Sequence, residues 1–223
     1  MIPIKDDQQR YSAPVINYLL IGTNIFVFLL EQSFTKRQLD QLALIPAHLW
    51  APHASAVEVI APFFTHMFLH AGWAHVLGNM LFLYIFGDNV EDYLGHFKYL
   101  VFYLLSGLFA AAAQVAVSAH SRVPMVGASG AIAGVLGAYF MLYPRARVLT
   151  WLPPIFFFHL PAWIVLGYWF VLQFLMGAST LSMTHTRDMG GVVVWAHVGG
   201  FVSGLVMIKI FPERARRYPY AYR

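Results

Sequence analysis

The sequence predicts an all-α integral membrane protein, built as a bundle of six transmembrane helices with a long interfacial first loop. Hydrophobic residues make up 59% of the 223 positions and charged residues only 11%, and the mean hydropathy is +0.62. Apolar runs of roughly membrane-spanning length recur along the chain and are separated by polar, charged or proline-containing segments. Such a composition is typical of chains whose main solvent is the bilayer.

The first half of the chain predicts a polar tail, three spans and one long loop. Residues 1–14 are polar and are predicted to be a cytoplasmic tail. Residues 31–65 mix charges, prolines and Trp50, which suits the headgroup region, so this loop is predicted to lie in the interface. Spans are predicted at residues 15–30, 73–87 and 97–117.

The second half predicts three more spans, at residues 125–143, 162–178 and 192–211. Three prolines in residues 148–161 indicate an interfacial approach to the fifth span. Residues 15–211 thus form one predicted six-span domain, and residues 212–223 a basic cytoplasmic C-terminal tail.

The distribution of basic residues predicts the orientation of the bundle. With both termini in the cytoplasm, the chain places only four of its 14 Lys and Arg residues outside, which are Lys36, Arg37, Arg122 and Arg187. The positive-inside rule therefore favours cytoplasmic termini. We expect a multi-pass protein of a prokaryotic cell (inner) membrane.

A serine between glycines opens the fourth span. Gly127-Ala128-Ser129-Gly130 precedes an uncharged helix-length run. The amides at a helix N-terminus are unpaired and the helix dipole is positive there, so a developing oxyanion would be stabilised. We therefore take Ser129 as the candidate nucleophile and its own amide as an oxyanion donor. The alternative is that Ser129 caps the helix and the glycines serve packing.

Three further polar residues are predicted to lie at the same membrane depth as Ser129. The second, fourth and sixth spans all run inward, and His75, Asn79 and His197 lie near the outer ends of the second and sixth. His197 is the candidate general base, and His75 with Asn79, four residues apart, are candidate oxyanion donors. The alternatives are a histidine satisfied by a backbone carbonyl and a role in helix packing. No carboxylate is expected at this depth, which favours a Ser-His dyad.

Together these motifs resemble the rhomboid intramembrane serine proteases, over nearly the whole of residues 15–211. The resemblance implies a nucleophile at Ser129, a base at His197 and an oxyanion hole from His75, Asn79 and the Ser129 amide. It also implies that the fifth span and fifth loop form a gate and cap. It further implies a structural histidine at His70 and supporting glycines at Gly127, Gly130, Gly200 and Gly204.

The sequence departs from the family pattern at two places. Many members carry an aromatic residue one turn after the serine, where this chain has Ala133. Some carry a Trp-Arg pair in the first loop, where Trp50 is followed by Ala51. The support of the histidine ring and the packing of the first loop are therefore not transferable from those members.

Other functions are disfavoured by the residues present. The chain has no cysteine and no His-Glu-x-x-His motif, so we expect no metal and no cofactor despite its ten histidines. Basic residues of so apolar a chain indicate lipid headgroups and not nucleic acid. The expected partners are transmembrane protein substrates and the bilayer, with the substrate, its cleavage-site preference and the oligomeric state left open. The main alternative is an inert rhomboid-like protein that binds or chaperones membrane helices.

Overall fold

The computed structural model describes residues 1–52, 54–182 and 194–214. Most of the predicted fifth loop, with Arg187 and the first residues of the predicted sixth span, lies outside the described residues, and so do residues 215–223 of the predicted tail. The elements are, in chain order, β1 (Ile2–Asp6), α1 (Val15–Glu31), α2 (Lys36–Leu42), α3 (Ala56–Ile60), α4 (Pro62–Thr65), α5 (Trp73–Leu94), α6 (His96–Val117), α7 (Ser129–Leu142), β2 (Arg147–Leu152), β3 (Phe156–Pro161), α8 (Ala162–Ser182) and α9 (Val194–Ile210). Short 3₁₀ turns occupy Pro46–Trp50 and His66–Phe68.

Within the described residues, six apolar helices build the bundle, as the apolar runs of the sequence predict. α6, and α8 over Ala162–Ser179, are long and apolar enough to cross a membrane. α5 passes the same test together with Ala56–Phe68, from which it is bent by 78°. The apolar helices α1, α7 and α9 are 17, 14 and 17 residues long. The all-α membrane fold is confirmed, while a bilayer crossing by all six helices stays a prediction.

α7 is the central helix of the bundle and packs against α5, α6 and α9. Every residue from Gly130 to Tyr139 is buried. Six of these ten residues are Gly or Ala, and small residues let neighbouring backbones approach closely in a membrane bundle. The helix begins at Ser129 and not at the predicted residue 125, because Gly127 has a φ of +119°, which a helix does not accommodate.

A three-stranded antiparallel sheet, formed by parts of the predicted tail and of the predicted interfacial approach, lies on the side of the bundle opposite Ser129. β2 pairs with both β1 and β3, with Asp6 opposite Val148 and Arg147 opposite Pro161. In β2, Val148 and Thr150 are buried between less buried neighbours. The sequence Arg-Val-Leu-Thr-Trp-Leu at 147–152 shows no matching alternation of apolar and polar residues, so it did not predict the strand.

The helix of the predicted second span, α5, is longer than predicted, and its acidic end is buried. α5 continues past residue 87 to Leu94, and Glu91 and Asp92 are both buried. The carboxylate of Glu91 accepts hydrogen bonds from the amides of Ile16 (3.0 Å) and Asn17 (2.7 Å) at the start of α1. A buried carboxylate is tolerable there because it satisfies unpaired amides at the positive end of a helix dipole.

Candidate active site

The first loop holds the chain just before Ser129 in place. Leu44 and Met125 exchange two backbone hydrogen bonds, of 3.1 and 2.8 Å. The amide of Gly127 donates to the carbonyl of His66 at 2.8 Å. The positive φ of Gly127 turns the chain sharply into α7, so Ser129 becomes its first residue. Ser129 therefore lies where backbone amides have no intrahelical partner.

The α7 and α9 backbones touch at two glycine pairs. A Cβ on Gly200 would overlap the carbonyl oxygen of Gly130, and one on Gly204 would overlap that of Gly134. These glycines therefore allow the close crossing of α7 and α9. Any larger side chain at these positions would push α9 away from α7.

This crossing brings His197 to Ser129. Nε2 of His197 lies 2.7 Å from Oγ of Ser129, a normal hydrogen-bond distance. His197 is in the first turn of α9 and Ser129 begins α7. The two helices thus start at one end of the bundle with the hydroxyl and the imidazole in contact.

A residue that sequence reasoning missed contacts the other ring nitrogen of His197. Oε1 of Gln173, on α8, lies 2.7 Å from Nδ1 of His197. The signal was available, because Gln173 is the only amide or charged side chain in residues 162–178, and polar groups in apolar spans usually face the protein interior.

α8 also supplies the aromatic contact that Ala133 does not provide. The ring of Trp169 lies 5.7 Å from the ring of His197, with a tilt of 44° between the planes. In this chain the aromatic contact to the histidine ring therefore comes from α8.

His75 and Asn79 lie beside the turn that precedes Ser129. A Cβ on Gly127 would be 2.7 Å from Nε2 of His75 and 3.6 Å from Nδ2 of Asn79. Nδ1 of His75 accepts from the amide of Ala71 at 3.4 Å, so the neutral ring carries its hydrogen on Nε2. Both α5 side chains can therefore donate hydrogen bonds near the start of α7.

Asn79 has an unused donor. Its side chain is 8% exposed, and within the described part of the chain Nδ2 is buried without a hydrogen-bond partner. A buried, unpaired amide hydrogen costs free energy of folding, about 1 to 3 kcal/mol. Such a cost is common where a group is reserved for a ligand or a reaction.

His70 packs behind these groups and does not reach Ser129. Its backbone amide donates to the carboxylate of Glu31 at 3.1 and 3.2 Å. Its ring packs edge-on against Phe28 and against His75, whose ring centre lies 5.2 Å away. In residues 1–52, 54–182 and 194–214, no three histidine, aspartate or glutamate side chains are grouped so as to hold a metal ion.

Comparison with known proteins decides the family. The family model described as the Rhomboid domain matches residues 58–214. The chain belongs to the rhomboid family. Rhomboid family members are integral membrane proteins, and the family includes serine intramembrane proteases as well as inactive members.

Individual relatives in the family come from bacteria and from organelles. The chain is 29% identical over 195 residues to Rhomboid protein 1, mitochondrial, of Saccharomyces cerevisiae, covering 85% of this chain and 51% of the relative. It is 42% identical over 134 residues to Rhomboid-like protein 11, chloroplastic, of Arabidopsis thaliana, covering 59% and 43%. It is 28% identical over 191 residues to Rhomboid protease GlpG of Haemophilus influenzae, covering 86% and 88%. The chain thus spans about half the length of the first two relatives and most of the third.

Proposed function

We propose that this rhomboid is an intramembrane serine endopeptidase that uses a Ser129–His197 dyad. Its substrates are transmembrane proteins, cut near the extracytoplasmic end of their membrane helix. The observation that carries the proposal is the 2.7 Å contact between Nε2 of His197 and Oγ of Ser129. A serine hydroxyl is a weak nucleophile until a base accepts its proton, and an adjacent imidazole is the group most often used.

In the first step, Oγ of Ser129 attacks the carbonyl carbon of the scissile peptide while its proton passes to Nε2 of His197. The carbonyl oxygen becomes an oxyanion. The Ser129 amide, Nδ2 of Asn79 and Nε2 of His75 are the donors proposed to stabilise it. The unpaired state of the Asn79 donor supports this role, since the oxyanion would supply its missing acceptor.

The second half of the reaction returns the enzyme to its starting state. The imidazolium of His197 gives its proton to the leaving amine nitrogen, the C–N bond breaks, and an acyl ester remains on Ser129. Water then attacks the ester while His197 accepts its proton, and the carboxylic acid product leaves as Oγ is reprotonated. No group besides the dyad, the oxyanion donors and water is needed.

The side of the membrane on which the substrate is cut depends on the end of the bundle at which Ser129 and His197 lie. The described C-terminal end packs at the far end of α5, where Arg214 donates to the carbonyl of Tyr93 at 2.8 Å and to Oγ of Ser12 at 3.1 Å. The N-terminal segment and the described C-terminal end therefore lie on the side of the bundle opposite the dyad. Together with the positive-inside preference for cytoplasmic termini, this supports an extracytoplasmic site, and the proposed membrane is a prokaryotic inner membrane. An intact substrate helix hides its carbonyls in intrahelical bonds, so we expect helix-weakening residues near the cut.

A panel of single-span reporter proteins tests this proposal. Purified wild-type protein should cleave at least one reporter, Ser129→Ala should cleave none, and mass spectrometry of the product termini should map the cut to the extracytoplasmic end. Stable binding of reporters without cleavage, equal for wild type and Ser129→Ala, would instead support the inert binding or chaperone protein. A cut at the cytoplasmic end would contradict the proposed orientation.

A further inference from the structure

The base has a second hydrogen-bond partner, on a helix that carries neither Ser129 nor His197. Nδ1 of His197 lies 2.7 Å from Oε1 of Gln173 on α8, and Nε2 lies 2.7 Å from Ser129. Both nitrogens of the ring are therefore used. The ring is fixed between α7 and α8 while its own helix is α9.

The hydrogen-bond partner of Nδ1 determines which nitrogen of the neutral His197 ring can accept a proton. A neutral ring carries one hydrogen, so one nitrogen donates and the other accepts. A carbonyl oxygen accepts only, and with Oε1 of Gln173 facing the ring the hydrogen belongs on Nδ1. Nε2 then has its lone pair free to take the Ser129 proton. With the hydrogen on Nε2 instead, the ring would donate to Ser129 and could not act as its base.

In a Ser-His-Asp catalytic triad, the Asp carboxylate accepts the hydrogen bond from Nδ1–H of the histidine. Gln173 occupies the corresponding position beside Nδ1 of His197. Within the described residues, no carboxylate hydrogen-bonds to His197. Trp169, four residues before Gln173 and so on the same face of α8, packs its ring 5.7 Å from the imidazole. One face of α8 thus supplies both a hydrogen bond to Nδ1 and an aromatic contact to the ring.

We propose that Gln173 is a positioning residue, which holds His197 in the tautomer and orientation able to accept the Ser129 proton. The proposal rests on the proposed function. Gln173 acts only through His197 and touches no reacting atom. Its loss should therefore slow the chemical step and leave substrate binding unchanged.

The decisive comparison is between two variants of the full chain. Gln173→Met keeps a similar volume but removes the acceptor. We expect kcat on a cleaved reporter to fall about 10-fold to 100-fold with KM unchanged, the range found when the partner orienting a metal-bound histidine is removed. Gln173→Glu keeps an acceptor for Nδ1–H, so it should retain much more activity than Gln173→Met. A carboxylate also favours the protonated ring, so the acid side of its pH–rate profile should move to higher pH.

Two further measurements separate positioning from structure. The rate at which a fluorophosphonate labels Ser129 should fall in Gln173→Met and persist in Gln173→Glu, since labelling needs the base but no substrate. Leu175→Met is the matched control, because Leu175 lies two residues away on α8 and is 58% exposed; it should behave as wild type. Thermal unfolding of each variant checks folding, and if Gln173→Met does not fold, the pH profile of Gln173→Glu against wild type decides.

The outcomes distinguish this inference from the proposed function. If Gln173→Met has the same kcat and the same rate of Ser129 labelling as the wild-type protein, the positioning role is overturned while the proposed dyad stands. A Gln173→Glu variant with an unshifted pH profile would overturn the positioning role as well. Absence of both cleavage and Ser129 labelling in the wild-type protein would overturn the proposed function, and this inference with it.

Discussion

Asn79 is the residue at which a catalytic and a packing role predict opposite results. The perturbation is Asn79→Ala, which removes the Nδ2 donor that is buried and unpaired beside the turn before Ser129. If that donor stabilises the oxyanion, its loss weakens transition-state binding. Removal of one such donor costs roughly 10²-fold to 10³-fold in rate, about 3 to 4 kcal/mol. The Ser129 amide and His75 remain, so we expect the lower end of that range.

The same change should have little effect on folding. Truncation removes a buried unpaired group, a relief of about 1 kcal/mol or more. It also opens a small void, which costs about 1 to 2 kcal/mol. The two effects oppose each other, so the thermal midpoint should move by only a few degrees.

The assay is turnover per folded molecule, at a temperature where all variants are intact. Asn24→Ala is the matched control, because Asn24 is fully buried in α1 and its Nδ2 donates to the carbonyl of Leu20 at 2.7 Å. That variant loses this hydrogen bond and also the buried Oδ1 of Asn24, which has no partner among the described residues. It should turn over normally when folded, whatever the change in its stability. A fluorophosphonate should still label Ser129 in Asn79→Ala, since the dyad persists. Unchanged turnover per folded molecule in Asn79→Ala would refute the oxyanion role.

Three other predictions concern the helix crossing, the sheet and the base. Gly204→Val should lower both turnover and thermal stability, because the new side chain would overlap the Gly134 carbonyl. Gly22 has open space around it, so Gly22→Ala should keep turnover and raise the free energy of unfolding by about 0.5 to 1 kcal/mol. Equal behaviour of the two variants would contradict the close crossing of α7 and α9. Burial raises the pKa of Asp6 from 3.8 to about 6, so the folded wild type loses stability as pH rises from about 4 to about 6. Above pH 6, Asp6→Asn should therefore have a free energy of unfolding about 1 kcal/mol higher than that of wild type, given the partial exposure of Asp6. A difference in unfolding free energy that does not shrink towards pH 4 would refute the role of the Asp6 charge. Turnover should fall at acid pH as His197 becomes protonated, because His197 must be neutral to accept a proton. Turnover that stays constant down to the lowest pH at which the protein is folded would contradict its role as the base.

The apolar helices and the contact between Ser129 and His197 were predictable because both leave strong one-dimensional signals. Apolar runs mark the helices, and the proposed alternation of spans puts the starts of the fourth and sixth at one membrane face, which predicts that Ser129 and His197 meet. Glycines at 130, 134, 200 and 204 indicate where backbones touch. These features depend on hydropathy and on helical spacing, which the sequence carries directly.

The remaining features depend on partners that are distant in sequence. Glu91 looks like a residue in water until the start of α1 is seen to supply amides for it. The sheet requires residues 2–6 to pair with residues near 150. Gln173 stands out in the sequence as the only amide or charged side chain of residues 162–178, but its partner, His197, is identified only when α8 is seen to pack against α9. Pairings of this kind are fixed by tertiary packing, which no local pattern encodes.

The central claim is that Ser129 and His197 act as one catalytic unit. Its most direct test is reporter turnover by Ser129→Ala, His197→Ala and the double variant, each checked for folding. Residues that act together give non-additive losses, so we predict that all three variants lose turnover to the same residual level. Substantial turnover in His197→Ala, or a double variant whose loss is the product of the two single losses, would contradict the account.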